Sequence, residues 1–255
     1  MQENATQLSH VKEFANKLPL INDSRLRSPI LDLLPLASLG AAVALNRYIT
    51  LNIKIYYASR SLVKAFVTEH QGLWGKAMED PLIIRSMYFE KAVEDYNKVC
   101  DYVYQILYFN FHLYEKLDNR NIETQNDVIE LARNIRGDKL HKIKAFLSIE
   151  HEGFCREFTQ YEDGISDTRE LANDIKHRGC YAIKGVATSS FGTAYRNSNG
   201  KEVNLTELAA PKLIDLDSEI TKLVEVHNKT HLLLKSLYKV CDFDSTLDSF
   251  LTQSR

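Results

Sequence analysis

The stretch SMYFEKAVEDYNKVCDYVYQILYFNFHLYEK, residues 86–116, decides the fold class. Phe89, Ala92, Tyr96, Val99, Val103, Ile106, Leu107 and Phe111 recur at steps of three or four apart from the adjacent pair Ile106-Leu107, close to the period at which an α-helix returns side chains to one face. From Leu82 to Tyr114 the chain therefore reads as the central helix of a bundle. Its excess of aromatic rings would suit a platform for stacking bases. Tyr and Phe at this spacing serve far more often as core or dimer interface.

Upstream, Leu8, Val11, Phe14, Ala15 and Leu18 make a first helix that stops at Pro19. From about Pro35 to Gly72 one long or kinked helix is predicted, with Leu45, Ile49, Ile53, Tyr56, Leu62, Ala65 and Phe66 on its buried stripe. Its apolar start, LASLGAAVAL at 36–45, falls well short of the roughly 20 residues a bilayer requires. Small residues there permit close helix packing instead. GLWGKAMEDP at 72–81 breaks the pattern, with Asp80 as an N-cap before Pro81 in a first helical turn.

Downstream, the polar run NRNIETQND is a loop leading into a shorter helix, DVIELARNIR, that ends at Gly137. Residues 138–164 give one or two helices broken near Gly153, and Ser166 or Asp167 caps the next. After Gly185, β-branched and aromatic residues surround Asn199-Gly200, a strong hairpin-turn signal. Helical spacing resumes at Leu213, Leu216, Ile220, Leu223, Val224, His227, His231, Leu234 and Leu237, and ends near Cys241 before a final helix to about Leu251. The expected fold class is all-α: a helical bundle with one small β-hairpin insertion near 186–205, in a single domain over 1–255. No long linker and no repeat divides it.

A 44% hydrophobic content with 26% charged residues supports a real core. With 32 Lys plus Arg against 34 Asp plus Glu, the net charge of -2 exerts no global pull on polyanions, so any RNA-binding surface must be a local patch. Cys100, Cys155, Cys180 and Cys241 form no CxxC pair, which argues against a zinc site or a disulfide framework and for free thiols in a reducing cytosol. MQENATQLSH lacks the basic start and apolar core of a signal peptide, so the expected location is cytoplasmic and away from membranes.

No glycine-rich phosphate loop, GxSxG or HExxH occurs, and no EExxE-type carboxylate set supports a metal-dependent nucleotide enzyme. His227 and His231 lie four apart, as metal ligands on one helix face do, but no third ligand stands at suggestive spacing. Solvent exposure or a polar interface is the simpler reading, and no metal or cofactor is expected. Glu94-Asp95 and Asp215-Asp217 read as solvated helix faces.

One further stretch carries chemistry: RELANDIKHRG, residues 169–179. On a helix, residues four apart differ by about 40° around the axis, so Arg169, Asn173 and His177 form a slowly turning row. A histidine near neutral pKa moves a proton, an arginine stabilises a crowded phosphate, and an amide orients either partner. Together they suffice for metal-independent RNA cleavage at the ribose 2'-hydroxyl. Lys176 and Arg178 would add a positive edge for the backbone. A helix ending in Lys-His-Arg before glycine is equally what the macrodipole favours, and Arg169 has Glu162 and Asp163 as ion-pair candidates.

The run NDIKHRG in a helical protein resembles the HEPN superfamily, whose signature is an arginine, four to six intervening residues and a histidine, often with asparagine after the arginine. Asn173 and His177 match that pattern. The long aromatic helix looks like the partner helix of stand-alone bacterial members, so the resemblance covers about 82–181, with flanking helices in 1–75 and 209–251. It implies a homodimer with two motifs across one cleft, and a metal-independent endoribonuclease of toxin or defence type. His177, Asn173 and Arg169 would be catalytic, and Lys176 and Arg178 would bind nucleic acid. Ala172 stands where the family places its arginine, and seven residues separate Arg169 from His177. RGDKLH offers a second-choice pair with the right spacing, Arg136 and His141. The alternative is a catalytically silent HEPN-like module that binds nucleic acid, a nucleotide or a protein partner such as an antitoxin.

Overall fold

A computed structural model describes residues 2–21, 39–68, 81–178, 182–184, 194–196, 199, 200, 202–204 and 213–253. The chain is mainly helical. In order come α1 (Gln2–Asn16), α2 (Leu39–Phe66), α3 (Pro81–Asn97), α4 (Val99–Asn110), α5 (Leu113–Asp118), α6 (Gln125–Arg133), α7 (Asp138–Glu150), α8 (Glu152–Gly164) and α9 (Ser166–Arg178). Four short strands follow, β1 (Ala182–Ile183), β2 (Ala194–Arg196), β3 (Glu202–Asn204) and β4 (Leu213–Ile214), then α10 (Leu216–Val240) and α11 (Phe243–Gln253). Beside Asn199 and Gly200, β2 pairs antiparallel with β3, with Tyr195 opposite Val203, while β1 pairs parallel with β4. Gly200 takes φ +73°, a conformation that disfavours side chains.

The aromatic segment is the middle of the molecule, though not as one helix. It divides at Lys98 into α3 and α4, nearly in line, with the Tyr102 amide donating to the Lys98 carbonyl at 3.1 Å. Phe89, Ala92, Tyr96, Val99, Val103, Ile106 and Leu107 are completely buried. Burying such side chains contributes about 1.5–3 kcal/mol each for the larger ones. The run ends before Tyr114 because His112 adopts φ +52° and turns the chain into α5. There its Nδ1 lies 2.9 Å from the Tyr114 hydroxyl.

α2 packs along both α3 and α4. Gly40 makes the approach possible: a Cβ there would lie 2.6 Å from the Phe109 carbonyl oxygen. Ala42 and Ala44 are buried in the same turns. The predicted α2 stripe needs correction, since Ile53 and Tyr56 are exposed and the buried residues include Tyr48, Leu51, Ile55, Ala58 and Leu62. Each four-residue step turns 40°, so the row Leu45, Ile49, Ile53 walks about 80° off the core. Phe14 of α1 stacks on Phe66 at 4.0 Å and 7°.

Several polar side chains fasten α10 to this core. The Tyr48 hydroxyl donates to the Leu234 carbonyl at 3.0 Å. Buried Arg85 donates to the Ala65 carbonyl at 2.7 Å and pairs with Asp217, while Asp215 caps α10 by accepting from the Ser218 amide. Asp215 and Asp217 are thus a cap and an ion-pair partner, not only a solvated face. Asp95, also expected on a solvated face, is buried instead, with a carboxylate oxygen 3.2 Å from Lys91.

Other boundaries move by a few residues. Thr124 and Asp127 form a reciprocal capping box, starting α6 two residues early, and α6 ends at Arg133. The break between α7 and α8 falls at His151, whose ring stacks on Phe111 at 4.6 Å, while Gly153 is inside α8. The expected Asp80 cap, Gly72, Gly179, Cys180, and the start of the second helix at Pro35 lie outside the described residues, as do most of 186–205 and the side chain of Leu8. Among the described residues no helix is long and apolar enough to cross a membrane.

Candidate functional site

α9 lies against α3 and α8. Its apolar positions do the packing: Thr168, Leu171 and Ala172 are buried, while Arg169, Asn173 and Lys176 are exposed. The helix continues to Arg178, so His177 takes the position one turn beyond Asn173 in the same row. The side chains of His177 and Arg178 are outside the described set. Eight helical steps carry the chain from Arg169 to His177, about 12 Å along the axis, so the two meet one phosphate only if their side chains converge from either end.

Ala172 occupies the inner side of this helix. It is only 6% exposed, and there a methyl group fits between helices and a guanidinium would be stripped of water.

Arg169 belongs to a second group of charges at the root of α9. Its guanidinium opposes the burial-driven rise in pKa of Cys100, Asp101, Tyr104 and Tyr161, which places it on the α4 and α8 side. Cys100 is pushed up to about 12 by burial, with Glu162 adding to the rise, so this thiol is no nucleophile. The Tyr104 hydroxyl donates to Glu162 at 3.0 Å, and Lys144 pairs with Glu162 at 2.6 Å. Burial and the neighbouring carboxylate raise the Tyr104 phenol well above its usual value, keeping it a hydrogen-bond donor. Neither Glu162 nor Asp163 forms an ion pair with Arg169 among the described residues.

The second-choice pair is divided. Arg136 lies after the end of α6, His141 is inside α7, and Gly137 at φ +57° stands between them; both side chains are exposed.

Of the two expected settings for His227 and His231, solvent or a polar interface, the first is not found: both are buried, and His227 makes polar contacts between elements. The His227 Nε2 lies 2.7 Å from the Pro19 carbonyl, which can only accept, so Nε2 carries the proton. Nδ1, 2.7 Å from the Tyr96 hydroxyl, is then the acceptor of a neutral ring. Burial lowers the pKa of both histidines, the Pro19 contact opposing this at His227 and Lys235 adding to it at His231. His227 is a strut between α10, α3 and the end of α1. Among the described residues no group of three or more His, Cys, Asp or Glu side chains could hold a metal.

A cleft of about 130 Å³ opens beside the start of α9, floored by Phe89, Val93 and Leu171, with Lys222 and Glu219 on its rim. Those two rim charges pair with each other at 2.7 Å, and neither Arg169 nor Asn173 lines the cleft.

Comparison with protein-family models, with curated proteins and with solved structures finds no match for the chain. Lys144, Glu162 and Tyr104 come from three helices at unrelated spacings, so no sequence motif announced them. A readable signal elsewhere was passed over: α2 contains no carboxylate.

Proposed function

We propose that this chain is a HEPN-like, RNA-directed protein that cuts RNA without metal, the ribose 2'-oxygen attacking the adjacent phosphorus as the 5'-oxygen leaves. His177 takes or returns the proton, Asn173 orients it, and Arg169 stabilises the charge gathering on the phosphate. Lys176 and Arg178 hold the backbone, and a homodimer would bring two rows across one cleft. The observation that carries this reading is the exposure of Arg169 and Asn173 on the outer side of α9, on the row that His177 continues.

The burial of Ala172 favours a second reading, a silent HEPN-like module that binds nucleic acid, a nucleotide or a protein such as an antitoxin. Incubating purified protein with a mixed RNA pool in EDTA separates the two. The catalytic reading expects 2',3'-cyclic phosphate ends from the wild type and none from His177→Ala with unchanged circular dichroism. Cleavage that survives in His177→Ala removes the site assignment, and no cleavage by the wild type leaves the binding module.

A further inference from the structure

We propose that the solvent face of α2 is a binding track for single-stranded nucleic acid, where Arg47, Lys54 and Arg60 meet phosphates and Tyr57 stacks on a base. The inference goes beyond the α9 reading, since it concerns another helix and requires no cleavage.

α2 holds Arg47, Lys54, Arg60 and Lys64, and not one of the chain's 34 Asp and Glu residues falls within its 28 positions. In a protein of net charge -2 this is the local cationic patch that a polyanion requires. From Arg47 to Lys64 the helix rises about 25 Å, long enough to follow several nucleotides. Arg47, Lys54 and Arg60 take part in no ion pair among the described residues.

Tyrosines alternate with these cations. The Lys54 ammonium lies 5.8 Å from the centre of the Tyr102 ring, Arg60 5.3 Å from that of Tyr56, and Lys64 4.8 Å from that of Tyr88. The Arg60 Nε also donates to the Tyr56 hydroxyl at 3.1 Å. Such rings orient a cation without neutralising it, so the charge stays available to a phosphate. Tyr57 is 57% exposed, with its ring tilted against Tyr56 at 5.8 Å. It presents an aromatic surface held by a rigid helix, the feature by which single-stranded nucleic acid is bound with little regard to sequence.

Asp95 acts electrostatically on Tyr102, but it is buried and held by Lys91 and Lys98, so its charge is already matched. An anionic membrane would need a broad apolar face; along α2 the exposed aliphatic residues are Leu39 and Ile53, well apart and set among tyrosines and cations.

The test uses the full chain and a fluorescent, mixed-sequence single-stranded DNA, which has no 2'-hydroxyl and so cannot be cut by the proposed α9 chemistry. Fluorescence anisotropy should show binding that weakens steeply with salt. Lys54→Gln with Arg60→Gln should weaken it by at least about 10-fold and flatten the salt dependence by roughly two phosphate contacts. Tyr57→Ala should weaken it by about 5- to 100-fold. Lys142→Gln, which removes an exposed cation from α7, should bind like the wild type. No binding by the wild type at low salt, equal binding by the α2 variants, or capture by phosphatidylserine vesicles in place of DNA overturns the proposal, whatever α9 does to RNA.

Discussion

α2 and α9 both turn a polar row to solvent, and they do so with opposite charge arrangements. α2 spreads four cations over 28 residues without a carboxylate and is braced along its length by α3 and α4. α9 alternates Asp167, Glu170 and Asp174 with Arg169, Lys176 and Arg178 over 13 residues. An unbalanced row gathers a polyanion from solution, whereas a balanced row attracts nothing at a distance but can place a few groups on one reacting atom. The two proposals therefore divide the work, with most of the affinity assigned to α2 and the chemistry to α9.

The contrast between the inner and outer sides of α9 gives the largest expected change in stability. Ala172→Arg should cost about 4 kcal/mol by leaving a charge buried without a partner. A stable Ala172→Arg protein in urea unfolding would show that position 172 is not packed as described. Next comes the contrast between two histidines. His227→Ala strands the Pro19 carbonyl and the Tyr96 hydroxyl and should cost about 3 kcal/mol, whereas Asn173→Ala on the exposed row should stay within about 0.5 kcal/mol.

The same histidines set a pH dependence. Their folded pKa values lie below the ordinary 6.5, so the unfolded chain binds more protons in the window beneath it. Stability is full above about pH 6.5 and falls as pH drops, by up to about 1.4 kcal/mol per unit for each histidine. A flat denaturation midpoint from pH 7 to 5 would contradict the neutral strut. Far from both rows, Thr124→Ala should lose about 1 kcal/mol with the α6 capping box, less than either buried site, read as a shift in thermal midpoint.

Much of the helical fold was legible because core residues such as Phe89, Tyr96, Val103 and Leu107 obey one period. Ile53 and Tyr56 were misplaced because a four-residue row drifts around a helix as long as α2. The split at Lys98 and the left-handed turn at His112 leave no periodic trace, and the burial of His227 depends on Tyr96 and Pro19, both more than 100 positions away. Of the candidate site, the exposed row Arg169–Asn173 followed from spacing alone. The environment of Arg169 did not, because Tyr104, Lys144 and Glu162 are assembled by packing among α4, α7 and α8.

The division between the two helices is tested most directly by measuring kcat and KM for cleavage of one labelled single-stranded RNA in EDTA, with binding of the same RNA alongside. His177→Ala should bind normally and turn over nothing, while Lys54→Gln with Arg60→Gln should keep kcat and raise KM at least about 10-fold. Turnover by His177→Ala, or a loss of kcat without loss of affinity in the α2 variant, would contradict the account.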